Sequence, residues 1–255
     1  MELTVTPFLP LRFPLWELLN PRQYTRLAIL ALVAGALLGW TITILIGAPL
    51  WMATFIVLLV LLPVGIQKWR GDWARHGAIV TLLSIVLTTQ GVHTIEHFAQ
   101  WFQYHILFFT MRQSNGLLSP ANAEWIHFVW NWLVLLAVVV LVMGGIRNVW
   151  GWLLLAVAIV HTLEHTYLFV RYLAVIQELR ELGIDNVTAQ GLAGIVGRDG
   201  WLARCGITQL AFLRRIPGLA TANRIDVHFW YNAIEMGFLL LAGHFYLLQR
   251  WNGTE

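Results

Sequence analysis

Residues 27–48 carry no ionisable side chain, and residues 50–67 again carry none. A predominantly apolar stretch of about 20 residues is what an α-helix needs to cross the hydrocarbon core of a bilayer. Inside lipid the backbone polar groups must be satisfied within the chain, so runs of this kind specify helices and not open sheet. Further apolar runs follow toward the C-terminus, and only 11% of the 255 residues are charged, against about 25% in a soluble domain. The expected fold is all-α, a polytopic membrane bundle of about six transmembrane helices.

In order along the chain, residues 1–25 form an N-terminal segment in which Phe13-Pro14-Leu15-Trp16-Glu17-Leu18-Leu19 reads as a short interfacial helix. This segment lacks a basic start and a small-residue cleavage site, so it is not expected to be a cleaved signal peptide. Residues 26–255 read as one transmembrane bundle. Its first part, residues 26–67, is a scaffold hairpin broken at Gly47-Ala48-Pro49, and Lys68, Arg70 and Arg75 are expected in a short basic loop after it. The remaining spans are expected at residues 77–109, 123–146, 149–182 and 226–250. Residues 184–225 are rich in glycine and arginine, and their apolar pieces are too short to cross. They are expected to lie on the membrane surface as a lid.

The later spans carry ionisable groups, which are costly in a bilayer and mark function there by default. Val92-His93-Thr94-Ile95-Glu96-His97 returns 68 residues later as Val160-His161-Thr162-Leu163-Glu164-His165. The spans that follow open in a matching way, with His127-Phe128-x-x-Asn131 in one and His228-Phe229-x-x-Asn232 in the other. Residues 77–146 and 149–250 therefore read as two copies of one helix pair, parallel repeats about an axis along the membrane normal. A buried metal site is expected between them.

The spacing supplies the chemistry. At about 100° per residue, His93, Glu96 and His97 share one helix face, as do His161, Glu164 and His165. An i,i+4 histidine pair chelates, and a neighbouring glutamate can bridge, ligate or act as a base. The expected metal ligands are His93, Glu96, His97, His127, His161, Glu164, His165 and His228, with Glu96 and Glu164 also as catalytic groups. Asn131, Asn232 and Glu235 are expected to orient those ligands from behind. Cys205 is the only cysteine, so thiolate clusters and intrachain disulfides are excluded. His76, His105 and His244 fall outside the repeat and read as packing residues. Trp101, Trp125, Trp130, Trp132 and Trp201 read as an interfacial belt.

His93-x-x-Glu96-His97 resembles the inverzincin pattern H-x-x-E-H, which implies zinc on the histidines and the glutamate as general base. The same residues resemble the first histidine box, H-x-x-x-H, of the integral-membrane desaturases and hydroxylases. That family's H-x-x-H-H boxes are absent here.

The function expected from these residues is a dinuclear His/carboxylate metalloenzyme of oxidoreductase type. It would hold two transition-metal ions, iron or copper before zinc, and act on a lipid or other small lipophilic substrate. A membrane zinc hydrolase, a non-catalytic metal carrier or assembly factor, and a haem carrier are the alternatives. The lipid bilayer is an expected partner, and a redox partner, a homo-oligomer or a membrane complex stays open. The net charge of +3 comes from dispersed arginines and not from a basic run, so nucleic acid is not an expected partner. Eight Lys/Arg fall on the side of the N-terminal region, residues 68–75, Arg147 and Arg250. By the positive-inside rule both termini are expected in the cytoplasm and the metal site toward the extracytoplasmic face.

Overall fold

The computed structural model describes residues 13–184, 192–205 and 215–252. Regular structure among them is helical only: α1 Pro14–Leu19, α2 Thr25–Ile46, α3 Leu50–His76, α4 Ala78–His105, α5 Glu124–Met143, α6 Val149–Glu181, α7 Trp201–Arg204 and α8 Arg224–Asn252. Two 3-10 turns, Arg22–Tyr24 and Ser119–Asn122, lead into α2 and α5.

Five of the helices, α2 to α6, are long and apolar enough to cross a membrane. The sequence suggested about six such spans, and α8 is the difference. Its 29 residues are as long as a span, yet it is the least apolar of the long helices, with Asn232, Glu235, His244 and Gln249 spread through its length. A helix of that composition is tolerable where protein covers its polar face. It packs against α4 and α6, with Leu239, Ala242, Tyr246 and Leu247 buried.

The contacts close a ring. Helix α4 touches α5 and α8, and α6 touches the same two. Leu83, Leu87, Val138, Leu141, Leu154 and Ala158 fill one end of this four-helix ring with hydrocarbon. The other end holds the histidines.

The α2–α3 hairpin stands beside the ring, joined to it through α3 and α4. Gly35 and Gly39, one helical turn apart, let the two backbones meet: a Cβ at Gly39 would lie 2.9 Å from the Ala53 Cα. Without a hydrophobic force between helices in lipid, small-residue contacts of this kind hold them together.

The basic loop expected after residue 67 is instead helical, and α3 runs on to His76. The reason is a buried i,i+4 pair, in which the Lys68 Nζ donates to Asp72 Oδ2 at 2.5 Å and to Ser84 Oγ on α4 at 2.7 Å. Gly77 alone then turns the chain into α4, at φ +80°, where a side chain would be strained. Changing Asp72 to alanine would leave the Lys68 ammonium buried and unpaired. Its expected cost is about 3–5 kcal/mol, read as a fall in the unfolding temperature in detergent, and a Lys68→Met/Asp72→Leu double change should recover most of it.

Helix α1 occupies the position of the expected interfacial segment, with Leu18 buried against the bundle and Trp16 74% exposed. Of the expected lid, residues 185–191 and 206–214 lie outside the described residues. The described parts of this segment are tied to α6 and to each other: Arg171 of α6 donates to Ala193 O, and Gly197 N–H to Leu219 O.

Candidate metal centre

The four helices of the ring bring the six repeat histidines into one cluster. His97, His127, His161, His165 and His228 are buried and His93 is half-buried. Ring contacts run continuously through them: His93 to His97 at 4.6 Å between centroids, His97 to His127 at 5.4 Å, His127 to His165 at 5.0 Å, and His165 to His161 and to His228 at 4.9 Å each.

Within the cluster the ligand nitrogens of His93, His97 and His127 all lie within 4.8 Å of one another. His97 Nε2 is 3.3 Å from His93 Nε2 and 3.4 Å from His127 Nε2. Both distances exceed the usual 2.7–3.2 Å of a hydrogen bond from nitrogen. Two nitrogens each about 2.0–2.1 Å from one tetrahedral ion would lie about 3.3–3.4 Å apart.

A hydrogen-bond chain fixes which nitrogen of His97 carries its proton. Asn122 Nδ2 donates to the backbone carbonyl of Asn115 at 2.8 Å, so Asn122 Oδ1 is the atom that accepts from Gln100 Nε2 at 2.6 Å. Gln100 Oε1 is then an acceptor, and it takes the His97 Nδ1–H at 2.9 Å. The His97 Nε2 lone pair therefore points at the other two rings.

His161 is fixed in the same sense, because its Nδ1–H donates to Glu235 Oε2 at 2.9 Å. Its Nε2 is buried with no hydrogen-bond partner, and so are His228 Nε2 and both ring nitrogens of His165. Unpaired buried polar atoms are costly in a low-dielectric interior, and this many in one place mark a site that something else completes.

The two motif glutamates are held by loops. Glu96 Oε2 accepts from the backbone N–H groups of Leu117 and Leu118 at 2.7 and 2.9 Å. Glu164 accepts in parallel fashion from Ile195 at 3.1 Å and Val196 at 3.2 Å. A glycine precedes each pair of donors, Gly116 and Gly194, and a Cβ on either would collide with the carboxylate. Neither glutamate belongs to the converging nitrogen group.

Asn131 and Asn232 donate to the backbone carbonyls of His127 and His228, each at 2.9 Å, and not to a ring. Glu235 does meet a ring, that of His161. Trp130 is no belt residue: its Nε1–H donates to Gln90 Oε1 at 3.1 Å, and its ring lies against His93. His105 pairs with Asp226 at 2.6 Å, while His76 and His244 pack on Trp251 and Phe13.

Three residues of the site escaped the sequence reading. Gln90 and Gln100 sit one turn from motif histidines on α4, and uncharged amides in an apolar helix were the available signal. Glu124, buried three residues before His127, is ion-paired with Arg224. Arg224 also donates to Leu192 O at 3.0 Å and helps to line a cavity of about 410 Å³. Leu168, Arg198 and Asn223 line it too, and it reaches His228 and Glu164.

Comparison of the chain with known protein families, with curated proteins and with solved structures gives no significant match, so the residues themselves carry its functional reading.

Proposed function

We propose that this is an integral-membrane metal-binding protein whose four-helix ring holds about two transition-metal ions between the six repeat histidines. One observation carries the reading. The His97 Nε2 lone pair faces two further imidazole nitrogens at 3.3 and 3.4 Å, and a single proton satisfies only one of those contacts. A shared cation satisfies both. His93, His97 and His127 would hold one ion, and His161, His165 and His228 the other.

The same reading takes α4–α5 and α6–α8 as two copies of one unit. Support comes from the matched glutamate grips, the matched asparagine bonds, and the rings of Trp130 and Tyr231 against His93 and His161. Glu96 and Glu164 serve in it as anchors that bind the loops down over the cluster. Glu96 Oε1 is buried without a hydrogen-bond partner, which leaves a bridging or base role open to that carboxylate beside the anchoring one.

A donor set of imidazoles suits copper, iron and zinc, and a close pair of redox ions supplies oxidoreductase chemistry. The cavity at His228 is the approach we assign to a small, partly apolar substrate or redox partner, since Leu168 and Val227 line it beside Arg198 and Asn223. The lipid bilayer surrounds the rest, with both termini cytoplasmic and the cluster toward the outer face.

Metal identity tests the reaction class. Absorption and electron paramagnetic resonance spectra of the detergent-purified protein should carry iron or copper signals. Zinc as the only bound metal would turn the reading to the hydrolase or the carrier. Gln100→Leu removes the acceptor that aims His97, and should weaken metal binding about 10–100-fold with little change in unfolding temperature.

A further inference from the structure

The two halves of the cluster differ at one place. The offset that takes His93 to His161 takes Gln90 to Ala158, and the offset that takes His127 to His228 takes Val134 to Glu235. All four residues are buried. The seam between α4 and α8 thus has an amide and a carboxylate where the equivalent seam between α6 and α5 has two hydrocarbon side chains.

The polar pair is fully ordered by its neighbours. Trp130 Nε1–H donates to Gln90 Oε1, so Gln90 Nε2 is the donor to Glu235 Oε2 and to Asn232 Oδ1, at 3.2 Å each. Asn232 is pinned in turn by its bond to the His228 carbonyl. Glu235 Oε2 takes the His161 Nδ1–H, and Glu235 Oε1 is buried without a partner. The His161 ring lies flat on Tyr231, 3° from parallel at 4.7 Å, which holds its plane.

A carboxylate buried on these terms has an imidazole and an amide as partners and no Lys or Arg in contact among the described residues. A charge left uncompensated inside a protein costs several kcal/mol. A cation on His161 Nε2, across the ring from the carboxylate, would supply the missing charge. The carboxylate makes that nitrogen a stronger donor in return. In the other triad the ring held by an outer partner is His97, and that partner is the neutral Gln100.

Resting on the metal-binding reading above, we propose that the two metal positions are unequal. The position completed by His161 is the tight one, with Glu235 as a positioning residue acting through the His161 ring. The position of His93, His97 and His127 is the weaker, exchangeable one.

Titration of the metal-free, detergent-purified protein with Co²⁺, followed by visible absorption, tests this. The expected result is two steps of distinct affinity. Glu235→Gln should weaken only the tighter step, about 10–100-fold, leave the weaker step in place, and raise or at least not lower the metal-free unfolding temperature, since it removes the uncompensated charge. A change that merely loosened the bundle would lower that temperature and both steps together, and that outcome would overturn the proposal. Two equal steps in the unaltered protein would overturn it as well, without recourse to any variant, while leaving the metal reading intact. Absence of Co²⁺ binding would instead overturn the metal reading itself. Gln90→Ala, which frees Glu235 Oε2 from its amide partner without altering charge, should weaken the same step to a lesser extent.

Discussion

Alanine at His97 should remove one of about two bound metal ions and leave the other. The ring sits at the centre of the converging group, in contact with His93, His127, His228 and Gln100. Without it, His93 and His127 are two ligands with no third, too few for a structural or catalytic site of three or four donors. The expected metal-to-protein ratio falls by about one, and the metal-free protein loses roughly 2–3 kcal/mol from the cavity left by a fully buried ring. His76→Ala is the comparison, since His76 lies at the end of α3 and makes its ring contact with Trp251. Its metal content should equal that of the unaltered protein. Elemental analysis of both variants, purified side by side, reads the difference.

The second large effect is expected at the loop glycines. A Cβ at Gly116 or at Gly194 would occupy the space of the Glu96 or the Glu164 carboxylate. The carboxylate must then leave its backbone donors, and the loop must lift. Overpacking of this kind costs about 1–3 kcal/mol. Gly116 adds backbone strain, because its φ of +71° is one that alanine adopts at a cost of about 1–2 kcal/mol. Gly47 has a comparable φ of +66° but open space around it, so Gly47→Ala isolates the strain alone. The order of destabilisation should be Gly116→Ala, then Gly194→Ala, then Gly47→Ala. Unfolding temperature measures the order. Proteolysis within residues 106–123 or 192–205 should rise in the first two variants and stay unchanged in the third.

Much of the architecture was legible because apolar length and helical periodicity are local properties. The spans at residues 78–105 and 149–181, and the turn after Gly47, lie within a few residues of where hydropathy and glycine put them. The histidine cluster was legible for a related reason: histidines placed i,i+4 on one face, repeated at a fixed offset, leave few arrangements of four helices that bury them all.

The misreadings concern interactions between distant residues. Lys68 reads as a loop residue until Asp72 and Ser84 are seen to enclose its ammonium group. Glu96 and Glu164 share a helix face with histidines, but the backbone amides that grip them lie 21 to 32 residues later in the chain, which no periodicity announces. Gln90 was passed over for the same reason, its partners Asn232 and Glu235 being more than 140 residues away.

Elemental analysis of the unaltered protein tests the central claim most directly. Protein purified in mild detergent from cells supplied with iron, copper and zinc should contain about two transition-metal ions per chain, and a chain with His97 and His161 both changed to alanine should contain almost none. An unaltered protein that is folded and yet free of transition metal after such growth would contradict the account.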